Sequence, residues 1–125
     1  MTHQQLEFYL DRKNVFGFNT HNDDEKVGWI LLSKKLPTAK FAEWVEESED
    51  RWGYRRQRRI EQEPYWITME EVTRAVFECD RFPTEQGYLL KINYSFATLA
   101  DVDRFLSELG YSLSEIKWGA DVDFL

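Results

Sequence analysis

The sequence predicts an α+β fold. It reads as one domain over residues 1–125, with a mixed or antiparallel sheet and two to three helices packed on one face. The nearest common plan is a ferredoxin-like core with extensions. Two observations predict it. Strand-like apolar runs recur at residues 27–33 and 87–94, and threonine-capped stretches of helical periodicity start at Thr38, Thr68 and Thr98. The chain has 125 residues, 42% apolar and 16% aromatic, which is enough for one core and argues against disorder.

Residues 6–10 form a short helix or strand. Residues 15–19 read as extended, and 21–26 as a polar turn. Residues 27–33 are a continuous apolar strand, consistent with burial on both faces. Thr38, after Pro37, caps a helix in which Phe41, Trp44, Val45, Ser48 and Trp52 share one face. Acids crowd the end of that helix, where the macrodipole disfavours them. Either the helix continues into the arginines beyond, with Glu47 paired to Arg51, or it stops at Gly53. The stop is preferred, because the apolar stripe vanishes from Trp52 to Ile60; residues 54–60 are then extended.

Residues 61–64 turn into a short strand at 65–67. Thr68-Met69-Glu70-Glu71 has capping-box spacing and starts a helix with Val72, Ala75, Val76 and Cys79 on its apolar face. Residues 81–86 form a loop. Residues 87–94 are the clearest strand, with Tyr88, Leu90, Ile92 and Tyr94 on one face. Thr98 caps a helix with an inner stripe of Val102, Phe105, Leu106 and Leu109, ended by Gly110. A last strand covers 115–118. Residues 27–45 faintly echo 86–106 as glycine, aromatic, strand, threonine cap and helix, a pattern generic enough to arise without duplication.

Several function classes find no support. The single cysteine, Cys79, forbids an intramolecular disulfide, fits a reducing cytoplasmic setting, and reads as a small core residue. Residues 1–14 contain no apolar signal-like run, and Trp29-Ile30-Leu31-Leu32 is far too short to span a membrane. Phosphate-cradling glycine motifs and a G-x-S-x-G elbow are absent. His3 and His21 have no partners at metal spacing, so neither metal nor cofactor is expected. A small metal-dependent hydrolase built on Asp23, Asp24, Asp101, Asp103, Asp121 and Asp123 has the least support. No catalytic residue is assigned, and the chain is expected not to be an enzyme.

Charge is the informative pattern. The net charge is −7, yet residues 51–60 hold Arg51, Arg55, Arg56, Arg58 and Arg59 with no acid. Immediately before them lie Glu43, Glu46, Glu47, Glu49 and Asp50. On a helix those acids would form a strip of ~12 Å, able to face a basic partner. Trp52 and Tyr54 sit at the junction of the two signs. These twelve residues are the candidate partner-binding set, with Trp44, Trp52 or Trp66 as anchors. A short, acidic, aromatic chain without catalytic motifs is similar in profile to toxin-immunity proteins and phage-encoded inhibitors as a class. The expected function is therefore non-catalytic binding, as an inhibitor, to a basic, nucleic-acid-processing protein. The alternative is an RNA-binding module using residues 51–59, with Trp52 and Tyr54 as stacking platforms. A third reading leaves the arginines merely balancing neighbouring acids.

Overall fold

The computed structural model describes residues 1–36, 45–79 and 85–124. Among these the chain is a small α+β domain with three α-helices and one mixed sheet of seven strands. Helix α1 (His3–Leu10) starts at a capping box: Thr2 Oγ1 accepts from Gln5 N, and Gln5 Oε1 accepts from Thr2 N. Strands β1 (Phe16–Asn22) and β2 (Lys26–Lys34) form a hairpin. Asp23 Oδ1 fixes its turn by accepting from Glu25 N and Lys26 N. There follow β3 (Val45–Glu49), β4 (Arg55–Arg59), β5 (Tyr65–Thr73), α2 (Arg74–Phe77), β6 (Tyr88–Phe96), α3 (Leu99–Glu108) and β7 (Lys117–Trp118).

The sheet order is β4-β3-β6-β5-β2-β1-β7. Strands β6, β5, β2 and β1 run antiparallel throughout, so the sheet is larger than the ferredoxin-like core anticipated from sequence, and that plan is not reproduced. Strands β2 and β5 are neighbours paired over nine residues, from Lys26 opposite Thr73 to Lys34 opposite Tyr65. Strands β3 and β4, which lie between them in sequence, form a hairpin beyond β6 at the edge of the same sheet. Lys35 N donates to Pro64 O at 2.8 Å and closes the base of this excursion.

Alternation along β2 separates two cores. Ile30 and Leu32 join Phe16, Phe18 and Ile67 under α1 (Leu6, Leu10) and α3 (Val102, Leu106). Val27 and Trp29 join Val72 and Val122 on the opposite face, with Val76 and Phe77 of α2 packed against them. The helices therefore divide between the faces rather than sharing one. The prediction for α3 holds at its ends: Thr98 Oγ1 accepts from Asp101 N, and Gly110 terminates it at φ +91°. Leu109, however, is exposed.

Two expected helices are corrected. Residues 45–49 form a strand, because pairing with β4 sets acid against base: Glu46 opposite Arg58, Glu49 opposite Arg55. The proposed cap and start of that helix, Thr38 to Trp44, lie outside the described residues, as does most of the 81–86 loop. Residues 68–73 also form a strand. Thr68 to Thr73 are hydrogen-bonded to β2, and most of them to β6 as well, and that pairing overrides the capping-box spacing. The helix start slips to Thr73, whose hydroxyl accepts from Val76 N, and leaves only four helical residues. Cys79 consequently lies exposed beyond α2 rather than in the core.

Helix α1 is tied to the sheet by a polar cluster. Tyr65 Oη donates to Glu7 Oε2, and Lys34 Nζ donates to Glu7 and Asp11. Burial, helped by the bond to Glu7, pushes the Tyr65 hydroxyl up to about 12 from an ordinary 10.0. A folded-state value above the unfolded one means this contribution is complete below pH ~10 and is lost as pH rises towards ~12. Tyr65→Phe should remove that component. Urea midpoints of the variant are expected to fall less steeply across this alkaline window than those of the wild type; parallel curves would show that Tyr65 does not carry the effect.

Candidate functional site

The β3–β4 hairpin carries eleven of the twelve sequence-predicted site residues on its strands and turn; Glu43 lies outside the described residues. Its strands pair from Val45 opposite Arg59 to Glu49 opposite Arg55. The turn at residues 50–54 is built around one carboxylate. Asp50 Oδ1 accepts from Trp52 N at 2.9 Å and Tyr54 N at 3.0 Å, and Asp50 N donates to Tyr54 O. Gly53 sits at φ +83°, a conformation that other L-residues adopt only with strain. This turn holds Trp52 and Tyr54 outward, 77% and 72% exposed. The extended segment expected beyond Gly53 is present as β4, but residues 45–49 are strand rather than the end of a helix, so Gly53 closes a hairpin turn instead of stopping a helix.

The arginine island is matched to carboxylates. Arg51 Nη2 lies 2.7 Å from Glu108 Oε2 on α3. Arg56 binds Glu63 through two bonds of 2.7 and 2.6 Å, a fork that raises its affinity for the proton. Arg58 Nη2 donates to Glu46 Oε2 at 3.3 Å. Arg55 and Arg59 lie at longer range, 3.9 Å from Glu49 and 3.8 Å from Glu61. The four described acids, Glu46, Glu47, Glu49 and Asp50, do not form a helical row. Glu46 is engaged with Arg58 and Lys35, Asp50 organises the turn, and Glu47 faces solvent.

Arg58 is buried and belongs to the attachment of the hairpin rather than to a contact surface. Its Cζ lies 4.0 Å from the centroid of the Trp66 ring, and Nη1 donates to Glu63 O at 2.8 Å. Lys35 Nζ is also 4.0 Å from that ring. Trp66 is 9% exposed, with Nε1 donating to Thr68 and Asn93, so it cannot serve as the partner anchor considered from sequence. Burial is the main influence on Arg58 and lowers its guanidinium to about 10. Ser48 Oγ meets Ser95 Oγ at 3.0 Å, and one parallel bridge, Glu49 with Tyr94, joins β3 to β6.

Between the hairpin and α3 lies a groove of about 460 Å³. Tyr94, Phe96 and Phe105 line it with aromatic surface, and Trp52, Glu49 and Asp50 line it from the hairpin. The rings of Tyr94 and Phe96 lie 4.8 and 5.1 Å from Phe105. Sequence reading missed the α3 and β6 side of this groove, since neither alternation in β6 nor the α3 stripe marks which rings lie beyond the core.

Elsewhere no group of three His, Cys, Asp or Glu side chains is placed to hold a metal ion among the described residues. Asp123 is bonded by the amides of Asn19 and Asn22, and His21 Nε2 lies 3.1 Å from Glu71. No described helix is long and apolar enough to cross a membrane.

Arg58→Ala loses the bond to Glu63 O, the charge-assisted bond to Glu46 and the stacking on Trp66 together, and is expected to cost about 3 kcal/mol. Arg55→Ala, exposed and loosely paired, should cost no more than about 0.5 kcal/mol. Urea unfolding of the two variants checks the contrast; equal losses would remove Arg58 from its anchoring role. No protein-family model, curated protein or solved structure matches the chain, so its geometry alone speaks to its function.

Proposed function

We propose that the chain is a non-catalytic protein-binding domain that docks through the tip of the β3–β4 hairpin. In its most concrete form it is an inhibitor, of the immunity or phage type, of a basic, nucleic-acid-processing protein. The observation that carries this reading is the pair Trp52 and Tyr54, largely exposed on a turn fixed by Asp50. Large aromatics with few rotors, already ordered before binding, are the usual anchors of protein interfaces. A net charge of −7 favours a basic partner and disfavours nucleic acid. The arginines lend the RNA-binding reading little, because each lies within 4 Å of a carboxylate.

The test is affinity capture from the native host, followed by binding kinetics on the captured partner. A basic partner is expected, with an association rate that falls as salt rises. Truncating both anchors, Trp52→Ala with Tyr54→Ala, should weaken binding by at least ~30-fold, about 2 kcal/mol. Unchanged affinity in the double variant would overturn the reading, as would a shift of single-stranded RNA in a low-salt gel without any captured protein.

A further inference from the structure

The groove beside the hairpin tip carries uneven charge. Three of its lining carboxylates already face arginines that also line it: Glu108 faces Arg51, Glu63 faces Arg56, and Asp101 lies 3.9 Å from Arg104. Two do not. Among the described residues Glu49 has only the exposed Arg55 as an ion-pair partner, at 3.9 Å and without a hydrogen bond. Asp50 makes no hydrogen bond or ion pair within 4 Å to a cation among the described residues, although its charge acts on Arg56, and its one engaged oxygen binds backbone N–H groups. Both acids lie near Tyr94, whose hydroxyl is held above its ordinary range by burial and then by the charges of Glu49 and Asp50.

We propose that this groove receives an arginine side chain of the protein partner, with its guanidinium beside Glu49 and Asp50 and its stem along Tyr94 and Trp52. This rests on the protein-binding reading of the hairpin tip. Arginine fits better than lysine, because a planar guanidinium can stack flat on a ring and fork onto a carboxylate at once, whereas an ammonium is a compact point charge without that fork. The rim already holds one such contact: Arg51 Cζ lies 5.7 Å from the Trp52 ring centroid while Nη2 binds Glu108. A phosphate there would face Glu49 and Asp50, while the lining arginines that could hold it are already paired with Glu108, Glu63 and Asp101.

The experiment is an NMR titration of the full chain with the blocked tripeptide Gly-Arg-Gly, alongside citrulline and lysine versions. The arginine peptide is expected to shift the Trp52 indole and the rings of Tyr94 and Phe105. The citrulline peptide should bind at least ~10-fold more weakly, and the lysine peptide detectably more weakly than arginine. Glu49→Gln should weaken the arginine peptide by ~3–10-fold. Equal binding of citrulline or lysine, shifts confined to other surfaces, or none at roughly 10 mM peptide would overturn the assignment. Partner capture that depends on Trp52 and Tyr54 but is unaltered by Glu49→Gln would also overturn it, and would leave the protein-binding reading standing. Arginine-selective shifts without any captured partner would support the groove while removing that reading.

Discussion

The contact between Arg58 and Trp66 governs how the outer part of this fold is held. Strand β3 shares a single backbone bridge with β6, so the sheet ladder alone does not secure the β3–β4 hairpin. Side chains do. Arg58 lies over the Trp66 ring, bonds the Glu63 carbonyl, and takes Glu46, which Lys35 also contacts. Burying a guanidinium is expensive, and here Nε has no hydrogen-bond partner, a cost of roughly 1–3 kcal/mol. Ring stacking and the paired carboxylate offset that cost only when all the groups are in place. The cluster therefore gains most in one geometry and penalises a hairpin that has drifted.

That geometry has consequences at the other end of the hairpin. The excursion starts after Lys34 and closes where Lys35 N meets Pro64 O, so both ends are pinned to adjacent strands. Arg56 and Ser48 fasten its middle to Glu63 and Ser95. Its tip is then projected towards α3, where Arg51 reaches Glu108. The groove exists because these anchors hold the hairpin and α3 apart at a set distance while Phe96 and Phe105 lie between them.

The sequence was legible where local chemistry decides the conformation. The stripe-free arginines marked an extended segment, Thr98 with Gly110 bounded α3, and Gly53, read as a helix stop, marked a break that proved to be a hairpin turn. It misled where a distant partner decides. Residues 45–49 have helical apolar spacing at Val45 and Ser48, but their partner strand lies ten residues on and supplies opposite charge at matching positions. Thr68 and Glu71 have capping spacing, yet they sit between two ladders that a linear pattern does not reveal. The candidate site divides in the same way. Trp52 and Tyr54 stood out as aromatics at a charge boundary, while Glu63, Glu108 and Phe105 become relevant only once the hairpin has returned across the sheet.

The boundary between acids and arginines changes meaning once it is folded. In the chain the two signs follow one another; in the hairpin they face one another, and most of the positive charge is spent on internal partners. The acids held most loosely lie at the end of the acidic strand and at the turn, in Glu49 beside Arg55 and in Asp50, next to the two exposed rings. Asp50 links the two properties, since the carboxylate that fixes the turn also keeps its charge beside Trp52. For the proposed docking, a turn fixed in advance would lower the ordering cost of binding, and a carboxylate bonded only to backbone N–H groups would favour a cationic partner. In the proposed interface the rings would supply affinity and the carboxylates discrimination, with the arginines holding both in position.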